Sequence, residues 1–369
     1  MAKMMVIKDY NLEKKVIEGL TEALRELPMS GQKPVVAALR NDNAIDFKIE
    51  FGVDGGKYIL LVIIMESVYP RDAQQVFWRF GRYMASTSDS NHKKQIVPLL
   101  AAESISLNAK ELLKSENLGF FDSAGSLFIP ARGAYVYVEK PPSRVFQKSM
   151  RSLFLGRRSQ VLHTLLANHN KWFSVKELAQ FAEVSAATAS EMLSALERFD
   201  WLAVEGKGPS KKRRLANPSA LLDEWQKQRP TAVLRRQIHR RFYVSSSDPY
   251  DIARHLDYTC EKLDLKYALT EQSAAQIYAP FLTSISRLTC RLEFGLRMND
   301  VYAELEARAV NEGANLEVIE TDSSGDFLFR ERNNTVWLAS PVQVYLDLLR
   351  SDGRGKEMAE HLRRERIGF

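Results

Sequence analysis

Cysteine is nearly absent: Cys260 and Cys290 are the only two among 369 residues. That excludes a disulfide-stapled scaffold and a cysteine-rich zinc centre, and two reduced, buried thiols are expected. Histidine is also sparse. His163, His169 and His239 sit among basic or apolar neighbours, and none of the six histidines falls at metal-ligand spacing with another. Neither a metal nor an organic cofactor is expected. Long apolar runs are missing as well. The longest, Tyr58–Met65, is eight residues, whereas a membrane-spanning helix needs about 20. The opening residues, Met1 to Asp9, lack the apolar stretch and small-residue cleavage site of a secretory leader. A cytoplasmic chain without membrane contact is the expectation.

With 45% hydrophobic and 27% charged residues, the chain has the composition of an ordinary globular protein, long enough for two or three cores. Its charge is unevenly spread. Residues 132–241 hold 21 Lys and Arg against 9 Asp and Glu, a net +12, while the whole chain is only +6. Such a concentration is expected of a surface that faces phosphates.

The basic stretch has a shape. Residues 157–166 place Val161, Leu162, Leu165 and Leu166 on one stripe of a helix. Ser174-Val-Lys-Glu177 is a capping box that opens a second helix. Ser185 opens a third, in which Ala189, Met192, Leu193 and Leu196 face inward. Trp201–Val204 and Arg213–Ala216 then read as two strands around a Gly- and Lys-rich tip. Three helices followed by a basic hairpin is the order of a winged helix-turn-helix, spanning residues 156–216. In that reading the third helix enters the major groove of duplex DNA, with Ser185, Ala187, Thr188, Ser190, Glu191 and Ser194 outward. Lys207, Lys211, Lys212, Arg213 and Arg214 hold the phosphate backbone from the hairpin. The helix face has no Arg or Asn for bidentate base contacts, so sequence reading rests on hydroxyls, methyls and Glu191.

Residues 1–150 have another texture. A helix is expected over Asn11–Leu27. Strands are expected at 34–39, 44–51 and 57–65, with Gly52–Gly56 as the turn between the last two. Helix 70–83, strand 95–100, helix 108–113 and strands 119–122 and 134–138 follow. The strand at 57–65 is apolar on both faces, which implies a central strand covered on both sides. This order resembles the restriction-endonuclease-like fold. It also resembles the N-terminal region of a bacterial family that reads Leu-Leu-Val-Glu-Val-Lys, then Gly-Gln-Pro-Arg, then Tyr-Leu-Asp-Leu-Ala-Gly-Asn. The stretches here are Leu60-Leu-Val-Ile-Ile-Met65, Ser67-Val-Tyr-Pro70-Arg71 and Gly119-Phe-Phe-Asp122-Ser-Ala-Gly125. Metal-dependent cleavage on that fold needs a Glu-x-Lys pair, and Ile63 and Met65 stand in its place, so no catalysis is expected. The competing reading is a magnesium-dependent nuclease with a site rebuilt from Asp46, Glu50, Asp54 or Glu66. Asp122 reads either as a retained family contact or as a turn residue.

In residues 229–369 a basic strand is expected at Leu234–Val244 on an exposed edge. Helices are expected to about Leu263, over Tyr267–Pro280 and over Asp300–Asn311, with strands near 286–292, 315–320 and 335–339. The closing passage, Ser340-Pro-Val-Gln-Val-Tyr-Leu-Asp-Leu-Leu followed by Gly353-Arg-Gly355, is the most distinctive of the chain. Tyr345, Leu346, Leu348 and Leu349 read as core, and the Gly-Arg-Gly as a turn before the last helix. The passage resembles the closing motif of the AbiEi family, transcriptional regulators that are the antitoxins of type IV toxin–antitoxin systems. Short members carry the winged helix at the N-terminus; here it is central.

The expectation is an α+β multidomain protein: a degenerate restriction-endonuclease-like α/β domain (1–150), a winged helix-turn-helix (151–228) and a C-terminal α/β domain (229–369). The resemblance implies operator binding to double-stranded DNA, and a protein partner, toxin or self, for the C-terminal domain. A plasmid replication or partition factor would bind DNA equally well.

Overall fold

Two seven-stranded sheets carry the chain, seen in a computed structural model that describes residues 10–27, 33–39, 45–53, 56–86, 95–142, 144–228, 238–246, 248–333, 335–351 and 353–369. These residues group into two compact units, Met1–Met150 with Ala195–Asp200, and Arg151–Ser194 with Trp201–Phe369. The architecture is mixed α and β throughout.

In the first unit, helix α1 (Tyr10–Arg25) precedes strands β1 (Val35–Ala38), β2 (Phe47–Val53) and β3 (Gly56–Val68). Helix α2 (Pro70–Ser86) crosses over to β4 (Gln95–Ile105), and α3 (Leu107–Ser115) to β5 (Gly119–Asp122). Hairpins add β6 (Leu127–Ala131) and β7 (Ala134–Val138). Spatial order follows chain order, with β3, β4 and β5 parallel and the other neighbours antiparallel. The two faces of β3 explain its unbroken apolar composition. Leu60, Val62 and Ile64 pack with Val16, Leu20 and Leu24 of α1. Leu61 and Ile63 pack with Val76 and Phe80 of α2 and with Ala109 and Leu113 of α3. Successive residues of a strand point to opposite faces, so a sheet buried on both sides needs apolar residues at every position. The strand β6 went unread in the sequence because Pro130 interrupts its pattern. Asp54 and Gly55 of the expected turn lie outside the described residues.

The second unit begins with α4 (Arg144–Leu153), of which Arg151–Leu153 belong to it, and α5 (Arg157–Ala167), α6 (Val175–Phe181) and α7 (Ala186–Arg198), the last sharing its end with the first unit. The hairpin β8 (Leu202–Glu205) and β9 (Lys212–Leu215) follows, then α8 (Pro218–Gln228). The second sheet takes β10 (Ile238–Tyr243), β11 (Tyr267–Leu269), β12 (Leu288–Glu293), β13 (Arg308–Ala309), β14 (Leu316–Thr321), β15 (Glu331–Asn333) and β16 (Val336–Leu338). Helices α9 (Pro249–Lys262), α10 (Glu271–Tyr278), α11 (Met298–Glu304), α12 (Pro341–Leu348) and α13 (Gly355–Leu362) surround it. Strand order is β13-β10-β14-β12-β11-β16-β15.

Three sequence expectations are corrected here. Tyr267–Leu269 is a strand paired with β12 and β16, and the helix expected from Tyr267 starts only at Glu271. The small residues of this segment mislead, because burial in a sheet centre and tight helix packing both favour them. The helix expected to reach Asn311 ends at Glu304, and β13 follows it. The basic strand is not a bare edge: β10 lies between β14 and the two-residue β13. Leu234–Gln237 lie outside the described residues.

Candidate nucleic-acid interface

The capping box at the start of α6 is complete. Ser174 Oγ accepts the Glu177 N–H at 3.3 Å, and the Glu177 carboxylate accepts the Ser174 N–H at 2.9 Å. Two backbone donors that a helix start would leave orphaned are thereby satisfied. At α7, Ser185 Oγ accepts the Thr188 N–H at 3.1 Å and lies 2.9 Å from Thr188 Oγ1. Ser185 is exposed and Thr188 half-buried, and their hydroxyls are engaged with each other and with the helix start.

Helix α7 has two opposed stripes. Ala189, Met192, Leu193 and Leu196 are fully buried. Ala187, Ser190, Glu191 and Ser194, at i, i+3, i+4 and i+7, are all exposed, a single face along the helix. Glu191 pairs with Arg158 of α5 at 3.3 Å, and the same guanidinium donates to Ser152 Oγ at 3.1 Å. The acid on the exposed stripe is therefore partly neutralised.

The hairpin is fixed to the helices by backbone bonds. Strands β8 and β9 pair from Leu202 opposite Leu215 to Glu205 opposite Lys212. Phe173, just before α6, bridges to Arg213, with N–H···O bonds of 2.8 and 2.9 Å in the two directions. Phe173 and Leu215 are buried and anchor the hairpin's base. Lys207 and Lys212 are exposed, while Lys211, Arg213 and Arg214 are half-buried. Arg214 stacks 5.2 Å from the Trp172 ring centroid, and Lys171 lies 3.8 Å from that of Phe181. Sequence reasoning missed Arg158, Lys171 and Lys176 as members of this basic surface. Their signal was the run of cations flanking the capping box and opening α5.

The residues at which a nuclease site was weighed sit in the first unit. Ile63 is fully buried, opposite Leu100 of β4, and Met65 is half-buried, opposite Ala102. Asp46 accepts the Ile64 N–H at 2.8 Å and lies 4.0 Å from Arg79. Glu50 pairs with Lys48 at 3.1 Å, Glu66 is exposed, and Asp54 is outside the described residues. Among the described residues no group of three His, Cys, Asp or Glu is placed to hold a metal ion. Asp122 is a turn residue of a particular kind. It accepts N–H bonds from Ala124 and Ser126, each at 3.0 Å, and is ion-paired to buried Lys110 at 2.6 Å.

The second sheet holds another charged cluster. Arg291 of β12 is fully buried, bonds both carboxylate oxygens of Asp347 at 2.9 Å, and pairs with Asp326 at 2.6 Å. Thr270 and Gln343 also donate to Asp347. Burial and the nearby Asp347 and Glu317 carboxylates push the Glu271 carboxyl up to about 7. The two thiols are buried and free, and burial raises both. Among the described residues, no helix is long and apolar enough to cross a membrane.

A basic three-helix-and-hairpin module joined to an α/β sheet domain is the class of protein these elements define. Residues 214–367 match the model of the family described as transcriptional regulator, AbiEi antitoxin, type IV toxin–antitoxin system. Over that region the chain is similar to the AbiEi antitoxin family, and the resemblance of the closing Ser340–Gly355 motif is borne out. The family is one of regulators. No curated protein and no solved structure shows significant similarity to the chain.

Proposed function

We propose that residues 156–216 form a winged helix-turn-helix and that the protein is a non-catalytic transcriptional regulator of the AbiEi antitoxin type, binding double-stranded operator DNA. The observation that carries this reading is the exposed α7 stripe of Ala187, Ser190, Glu191 and Ser194 in the same module as a lysine- and arginine-rich hairpin. A helix with that stripe enters a major groove, and hairpin cations hold the flanking phosphates. Ser185 and Thr188 then order the helix start and present their hydroxyl edge. Lys207, Lys211, Lys212, Arg213 and Arg214 supply affinity that is independent of sequence. The N-terminal region, 1–150, adds a second duplex or partner surface, and the C-terminal region, 229–369, carries contacts to a toxin or a second copy.

An electrophoretic mobility assay on the gene's own upstream region tests this. Binding is expected to be saturable, weakened by salt, and stronger than to unrelated duplex of equal length. Equal binding to both duplexes would overturn operator recognition, and no binding at low salt would overturn the DNA reading altogether. Incubation with plasmid and Mg²⁺ distinguishes the nuclease alternative, which requires nicking lost on Asp46→Ala or Glu50→Ala.

A further inference from the structure

Strand β1 closes one edge of the first sheet, and that edge carries no charge. Its outer side has no neighbouring strand among the described residues. Val35, Val36, Ala37 and Ala38 are all exposed, Val35 at 64%. From Pro34 to Leu39 the segment has no charged side chain. Folded proteins usually guard such an edge with lysine, a bulge or a covering loop. The opposite edge is different: β7 runs straight into Glu139 and Lys140, and Lys114 lies 4.1 Å from the Tyr137 ring centroid.

The register of β1 on β2 fixes which backbone groups are open. Val35 faces Glu50 and Ala37 faces Lys48; continuing that register, the Leu39 N–H donates to the Asp46 carbonyl at 2.9 Å. Hydrogen-bonded pairs alternate with non-bonded pairs along an antiparallel ladder. Val35, Ala37 and Leu39 therefore bond inward to β2, while Val36 and Ala38 turn their N–H and C=O groups outward. Pro34 occupies the next outward position and has no N–H to offer. The open edge is thus a short apolar segment with two outward donors, closed at one end by a proline.

We propose that this edge pairs with β1 of a second copy of the chain, antiparallel about a two-fold axis at Ala37. In that register the N–H and C=O of Val36 meet those of Ala38 in the second copy, and the symmetric pair repeats them, so every outward donor finds a carbonyl. Ala37 falls opposite its own copy at a non-hydrogen-bonded position, where Cα atoms approach to about 4.5 Å and a methyl group fits. Val35 falls opposite Leu39. A register centred on Val36 would instead set Ala38 against Pro34 and lose a donor. A two-fold contact brings each residue near its own kind, and an edge without charge does so without like-charge repulsion. The contact is small, which implies a weak dimer that depends on concentration. A dimer would carry two basic modules, suited to paired half-sites; that consequence rests on the DNA-binding reading, and the strand pairing itself does not.

The test is made on the full chain without DNA. Sedimentation velocity is expected to show monomer passing to dimer as concentration rises. Ala38→Pro deletes an outward N–H and no bond to β2, and should raise the dissociation constant at least tenfold. Ala37→Lys sets two like charges across the axis and should do the same. With diamide as oxidant, Ala37→Cys should give a disulfide-linked dimer, since residues paired across the axis lie within disulfide reach. Val35→Cys, also exposed but far from its own copy in this register, should not. If Ala38→Pro does not fold, the Ala37 variants decide. A chain that stays monomeric at every concentration, a dimer that survives both edge substitutions, or equal cross-linking of the two cysteine variants overturns the proposal.

Discussion

Lys110 Nζ lies 2.6 Å from Asp122 Oδ2, and neither side chain has more than 4% of its surface exposed. The ammonium also donates to Ser126 Oγ at 2.7 Å, while Asp122 ties the β5–β6 turn through two backbone N–H groups. The pair welds α3 to the turn. Removing one charge would leave the other buried and uncompensated, which costs roughly 3–5 kcal/mol. Lys110→Met is expected to lower the stability of the first unit by about that amount in urea unfolding followed by circular dichroism. Lys110→Met with Asp122→Asn should recover part of the loss, because the asparagine oxygen still accepts the turn's N–H bonds. Equal stability of Lys110→Met and the unaltered protein would show that the pair contributes nothing.

Glu271 combines a left-handed backbone, φ +48°, with a carboxyl raised from 4.5 to about 7. The folded state holds its proton more tightly than the unfolded state does. Stability from this group is therefore full below about pH 4.5 and lost as pH rises through 7, by at most roughly 3 kcal/mol. Glu271→Gln should flatten that part of the pH–stability profile and raise stability at pH 8. A profile unchanged by the substitution would contradict the assignment.

The Gly353-Arg-Gly355 turn has a steric reason at each glycine. Gly353 adopts φ +67°, a conformation that favours glycine. A Cβ on Gly355 would meet the Leu348 carbonyl oxygen at 2.5 Å and collide with Ser351 Oγ. Gly353→Ala is expected to destabilise by about 1 kcal/mol and Gly355→Ala by distinctly more, since the Leu348 carbonyl, unlike the Ser351 hydroxyl, cannot swing aside. Thermal melts of the two variants check the order, and the reverse order would refute this account.

Lys207 and Lys212 are the exposed cations of the hairpin. Replacing both with Ala should weaken binding to all duplexes alike and reduce the slope of log K against log salt by about 2. Ser190→Ala or Ser194→Ala should instead change the preference among operator variants and leave the slope unaltered. An unaltered slope in the double lysine variant would remove the hairpin from the interface.

Much of the local architecture was legible in the residues. Ser174 and Glu177 announced their helix because a capping box is satisfied within four residues. The i, i+3, i+4, i+7 stripe of Ala189, Met192, Leu193 and Leu196 gave the inward face of α7 for the same reason. The doubly apolar run of β3 gave its place between helices. Tyr267–Leu269 was misread because a three-residue strand carries no period of its own, and only its partners β12 and β16 make it a strand.

Local sequence thus determined the caps, the amphipathic helices, the basic module and the AbiEi-type closing motif, since each is written in residues a few positions apart. Tertiary structure alone decided that Lys110 meets Asp122 and that Arg291 is neutralised by Asp347 from 56 residues away. Charges so distant in the chain are brought together or kept apart by the packing of the sheets, and no spacing in the sequence encodes that distance.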